Sequence, residues 1–134
     1  RLLSRGLGDV YKRQGICCGI IVFQTAFIAP ILTKVLTGDV FSAVVRTIWP
    51  RFFLALAVTG CCSLLIDIVS NGTSIVRISV IVLTIILPAI CYGIIPATNA
   101  ATDRGRKAQF KVLHTTSILL TVLTLLLNAA CIWL

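Results

Sequence analysis

The sequence predicts an all-α fold, an integral membrane four-helix bundle, and three observations carry that prediction. Apolar residues make up 58% of the 134 residues against 12% charged. That exceeds what a soluble domain of this size needs for its core, and it leaves too little charge for a water-facing skin. Four stretches reach the roughly 20 apolar residues that take a helix across about 30 Å of hydrocarbon. Breaking and turn-forming residues fall between them.

The first span is expected over about residues 15–36. No small-residue cleavage site and soluble domain follow it, so it does not read as a signal peptide. Residues 1–14 are expected to lie outside the fold as a sequencing-adaptor artefact. Asp9-Val10-Tyr11-Lys12-Arg13-Gln14 match the in-frame translation of the transposase end GATGTGTATAAGAGACAG, and the chain holds no methionine. The domain proper is therefore read as residues 15–134.

The second span is expected over about 50–69, with Pro50 in its first turn, where a missing N–H costs nothing. Ser70-Asn71-Gly72-Thr73 reads as a tight turn that makes the second and third helices antiparallel neighbours. The third span is expected over about 75–95, closed by Pro96, and the fourth over about 112–134. Pro30 and Pro88 fall inside spans, where membrane helices tolerate proline and bend. Trp49, Phe52, Phe53 and Trp133 are expected as interface anchors.

The net charge is +8, of which Arg1, Arg5, Lys12 and Arg13 against Asp9 carry +3. No interleaving of aromatic and basic residues suggests a nucleic-acid surface. The expected partners are the lipid bilayer and further membrane proteins or copies of this chain, with no nucleic acid. Lys34, Arg46, Arg51, Arg104, Arg106, Lys107 and Lys111 gather on one side, against Arg77 on the other. Basic residues concentrate in cytoplasmic loops, so loops 37–49 and 96–111 are expected in the cytoplasm and both termini outside, in a bacterial inner (plasma) membrane. Asn71-Gly72-Thr73 spells a glycosylation sequon, set too close to the bilayer to be a good acceptor.

Polar residues inside spans are costly against lipid and usually face the interior. His114, Ser117, Thr121, Thr124 and Asn128 recur at spacings of three and four and so share one helix face. They are candidates either for interhelical hydrogen bonds or for binding. Gln24, in the middle of the first span, is a candidate to meet that stripe, and Asn99 in the third connection is a further polar candidate. Asp67 and Arg77 fall at similar depth on either side of the tight turn and are expected to form a structural ion pair. The six cysteines, Cys17-Cys18, Cys61-Cys62, Cys91 and Cys131, contain no C-x-x-C, and no metal site is expected. They read as small apolar packing residues, although Cys17 and Cys131 lie near the same face, where a disulfide could form. Gly15 and Gly19 spell a G-x-x-x-G helix-contact motif.

Phe27-Ile28-Ala29-Pro30-Ile31-Leu32 followed by Val45-Arg46-Thr47-Ile48-Trp49-Pro50-Arg51-Phe52-Phe53 resembles the opening half of the domain-of-unknown-function 4149 family, the transmembrane protein 205-like membrane proteins. Pro96-Ala97-Thr98-Asn99, then Phe110, Leu113-His114 and Ser117, resemble its second half. The chain departs where the family carries a leucine-asparagine after that serine; here Ile118-Leu119-Leu120-Thr121 follows. The resemblance implies four membrane helices and no established activity. A more distant likeness, through the lone helix-start His114, is to four-helix copper-resistance and haem-pathway membrane proteins.

No nucleophile–base pair, carboxylate pair or phosphate loop is recognisable, so the expected function is a non-enzymatic scaffold or transport-associated bundle. The alternative is a redox-type module holding haem or copper through His114, which lacks a second histidine for bis-imidazole ligation. A small exporter is the third reading, against which stands the absence of any glutamate.

Overall fold

The computed structural model describes residues 2–70 and 74–133, and all of its regular structure is helical. A first rod is built from α1 (Leu2–Val22), a π-helical segment (Phe23–Ile28) and α2 (Ala29–Val35). Three further rods follow: α3 (Gly38–Val69), α4 (Ile75–Asp103) and α5 (Lys107–Trp133). All four are long and apolar enough to cross a membrane. Residues such as Phe23, Ile31, Leu54, Leu65, Ile75 and Leu119 are each more than half exposed, the outward apolar surface of a protein whose solvent is lipid.

The rods run alternately up and down. α4 lies between α3 and α5, and α1 closes the ring by packing on α5 and, more thinly, on α3. α2 buries none of its residues. The π segment explains its departure from the bundle. Pro30 has no N–H and its ring crowds the carbonyl four residues back, and the widened turn before it relieves that conflict.

The helices are longer than the sequence suggests. Pro50 lies well inside the 32-residue α3 rather than in its first turn, and Pro96 lies inside the 29-residue α4 rather than closing it. The expected loops 37–49 and 96–111 are thus almost entirely helical. A proline removes one hydrogen bond, and the alanine-rich turn after Pro96 carries the helix onward. Helix α4 ends just before Gly105, whose φ of +64° suits a residue without a Cβ. There the Arg106 N–H donates to the Ala101 carbonyl at 2.9 Å and the Gly105 N–H to the Thr102 carbonyl at 3.1 Å, a Schellman closure. At 1.5 Å per residue α3 measures about 48 Å, well over the roughly 30 Å of hydrocarbon. The surplus of α3 and α4 forms a helical hairpin at the basic end, tied by the paired contacts of Arg46 with both oxygens of Asp103.

α1 begins at Leu2 and runs unbroken across position 14, where the domain boundary is expected. Asn71-Gly72-Thr73, with the expected turn and sequon, lie outside the described residues, as does the side chain of Trp133.

The apolar core is Ile21, Phe52, Phe53, Leu56 and Cys91, with Trp49, Ile95, Leu120 and Leu125 partly buried against it. Phe52 and Phe53 are therefore core residues and not interface anchors. With α3 beginning at Gly38 they stand near its midpoint, and Trp49 packs edge-on against Phe52 at 5.8 Å. Toward the Asp67–Arg77 end of this core α3 and α4 approach tightly at Gly60. A Cβ on Gly60 would lie 2.7 Å from Ile85 Cγ1 and 3.4 Å from the Ile85 nitrogen, so only glycine permits this approach.

Candidate functional site

Beyond the Gly60 crossing, toward the end that carries Asp67 and Arg77, the interior changes character. α3 contributes Ser63 and Asp67, α4 contributes Thr84, and α5 contributes Thr124, Asn128 and Cys131, all buried. Each recurs at helical spacing from the apolar core residues of its own rod, so the stripe that packs the core becomes polar as it continues.

Arg77 Nε donates to Asp67 Oδ1 at 2.8 Å, bringing together the two residues that the sequence sets at similar depth. Asp67 is 2% exposed. The α4 start that positions Arg77 is capped by Ser74, whose hydroxyl accepts from the Arg77 backbone N–H at 3.5 Å. From α1, Gln14 Nε2 approaches Cys131 Sγ at 3.9 Å.

Deeper in the bundle, Asn128 Nδ2 donates to Thr84 Oγ1 and to the carbonyl of Thr124, both at 2.8 Å. The carbonyl can only accept, which fixes the orientation of the amide. Asn128 Oδ1 then faces the interior with no donor, and Asp67 Oδ2 is likewise buried without one. The hydroxyls do not help. Ser63, Thr84, Thr121 and Thr124 each donate to the carbonyl four residues back in their own helix, at 2.7–2.8 Å. Their protons are spent locally, and lone pairs are what they present to the bundle. Among the described residues, Asp67 Oδ2 and Asn128 Oδ1 are the buried acceptors of this layer that no donor reaches.

Of the other sequence candidates, Thr121 is buried and Ser117 half-buried where α5 passes Cys91, whose thiol lies 3.8 Å from the Ser117 carbonyl. Gln24 is buried in the π segment, and its Nε2 has no partner. Asn99 is half-buried and separated along α4 from the polar layer. His114 is exposed on the second turn of α5 and stacks on Phe110, with ring centroids 5.4 Å apart and planes at 10°. The structure thus divides the α5 stripe: its Thr121–Asn128 half is interior, and His114 is on the surface. Among the described residues no group of three or more His, Cys, Asp or Glu could hold a metal ion, and all six cysteines are free thiols.

Sequence reasoning missed Thr84, Ser63 and the part of Cys131 in the layer. Thr84 had a signal: it stands seven residues, or two turns, after Arg77 on the same face of α4.

A family model described as Domain of unknown function (DUF4149) matches residues 14–107. No curated protein and no solved structure matches the chain.

Proposed function

The chain belongs to the DUF4149 family, and from that premise and the buried polar layer we propose that this membrane protein is a transport-associated bundle, not an inert scaffold. The supporting observation is the division of its interior. One half holds an ion pair and unsatisfied acceptors drawn from α3, α4 and α5, and the other is closed by the plug of Ile21, Phe52, Phe53, Leu56 and Cys91. Buried charges and amides inside a membrane are expensive, and they mark the paths of ions and polar solutes. A scaffold would gain more from apolar packing throughout. The arrangement resembles a half-path for small hydrophilic species, entered at the Asp67–Arg77 end and closed toward the basic end.

The basic end carries Lys34, Arg46, Arg51, Arg104, Arg106, Lys107 and Lys111, against Arg77 with Lys12 and Arg13 at the other. On this reading the basic end faces the cytoplasm of a bacterial inner membrane and the polar layer opens outward. Reconstitution into liposomes tests the transport role. Proton leak and osmotic shrinkage above the empty-vesicle rate, lost in the Asp67→Leu/Arg77→Leu pair, are expected. Rates equal to empty vesicles would leave the scaffold role standing.

A further inference from the structure

We infer that the polar layer is a hydration site, in which water held by Asp67 Oδ2 and Asn128 Oδ1 reaches the middle of the bilayer. The inference rests on the transport reading for its purpose but on the hydrogen-bond inventory for its chemistry. Both oxygens belong to side chains that are at least nine-tenths buried, 2% and 0% exposed, and neither has a donor. A buried acceptor left unmade costs about 1–3 kcal/mol, so the one on α3 and the one on α5, the rods that flank α4, each call for an occupant.

Charge decides what the occupant is. Arg77 of α4 already offsets Asp67, and α1 brings Gln14 against Cys131, with Lys12 and Arg13 beside it in sequence. With its carboxylate paired, the layer has no net negative charge to hold a bare cation. The hydroxyls give no hydrogen to either oxygen, because they spend theirs on their own helices. The fitting ligand is a small neutral donor, and water, which settles where two to four polar partners converge, is the smallest.

Depth gives the site its meaning. Thr84, the partner of Asn128, lies nine residues into α4. That is about 13 Å at helical rise, close to half of the roughly 30 Å hydrocarbon thickness. Water at Asn128 is therefore near the midplane, and the apolar plug beyond it stops the column.

Hydroxyl-radical footprinting of the full chain in lipid nanodiscs tests this, because X-ray radiolysis generates radicals from water held inside a protein. Cys131 and Cys91 are both buried thiols, at 6% and 1% exposure, one in the polar layer and one in the plug. Cys131 is expected to be oxidised several-fold faster than Cys91. Asn128→Leu, which removes the deeper acceptor, should bring the Cys131 rate down while Cys91 stays protected. Should that variant fail to fold, seen as a rise at Cys91, the Asp67→Leu/Arg77→Leu double variant removes the outer acceptor instead and should lower the same rate. Equal rates at Cys131 and Cys91 in the native chain would overturn the inference. So would a Cys131 rate unmoved by a variant that keeps Cys91 protected. Neither result depends on flux, so a failure of transport leaves the footprint readable.

Discussion

Asn128 of α5 donates to the hydroxyl of Thr84 on α4 at 2.8 Å, a buried side chain-to-side chain hydrogen bond that joins those two helices. The Thr121 and Thr124 hydroxyls bond within their own helix, so in this half of the stripe the amide makes the polar link from α5 to α4. A double-mutant cycle with Asn128→Ala and Thr84→Val should return a coupling of about 0.6 kcal/mol, the average for such bonds in membrane bundles. Unfolding in mixed detergent micelles measures it. A coupling of zero would show the contact to be energetically idle.

The Asp67–Arg77 pair should show the asymmetry of buried charges. Arg77→Leu alone strands a carboxylate that is 3% exposed and should destabilise the fold by about 3–5 kcal/mol. Asp67→Leu/Arg77→Leu removes both charges and should restore most of that loss, at the expense of the polar layer. Thermal unfolding of the three variants separates the outcomes.

Gly60 should tolerate no side chain. Adding a methyl places carbon 2.7 Å from Ile85 Cγ1 with helix backbone just behind it. Gly60→Ala should therefore force α3 and α4 apart and cost about 1–3 kcal/mol. Gly19→Ala is the comparison, because nothing lies within 4 Å of its added Cβ; it should leave stability unchanged.

Gly105→Ala should weaken the turn between α4 and α5. At φ +64° an L side chain meets the following carbonyl, a cost of about 1–2 kcal/mol. Hydrogen exchange at Gly105 and Arg106, whose amides close the Schellman motif, should accelerate in the variant while the amides around Leu56 stay protected.

Much of this architecture is legible in the composition. Backbone polar groups inside hydrocarbon must be satisfied within their own segment, so stretches of this length and apolarity can only be helices. Four of them in a chain of 134 residues make an α-helical membrane bundle before any contact is known. The pairing of Asp67 with Arg77 was likewise readable, because a short connection between antiparallel helices sets both at one level.

Helix ends were not readable in this way. Pro50 and Pro96 look like boundaries in the sequence, yet a proline removes only one donor and neighbouring turns carry the helix through. The stop lies at Gly105, where backbone conformation and not hydrophobicity is decisive.

By itself, then, the sequence determined the membrane setting, the number of spans and a polar face on the last helix, since each follows from local composition and a period of 3.6. Only the tertiary structure decided which part of that face is interior. His114 and Asn128 share the stripe, but α5 enters the bundle after its first turns, leaving His114 stacked on Phe110 at the surface and Asn128 fully enclosed. The contacts of Asp67 with Arg77 and of Asn128 with Thr84 depend on the register of three rods. That register is set where Gly60 lets α3 and α4 touch, a packing fact that no single helix contains.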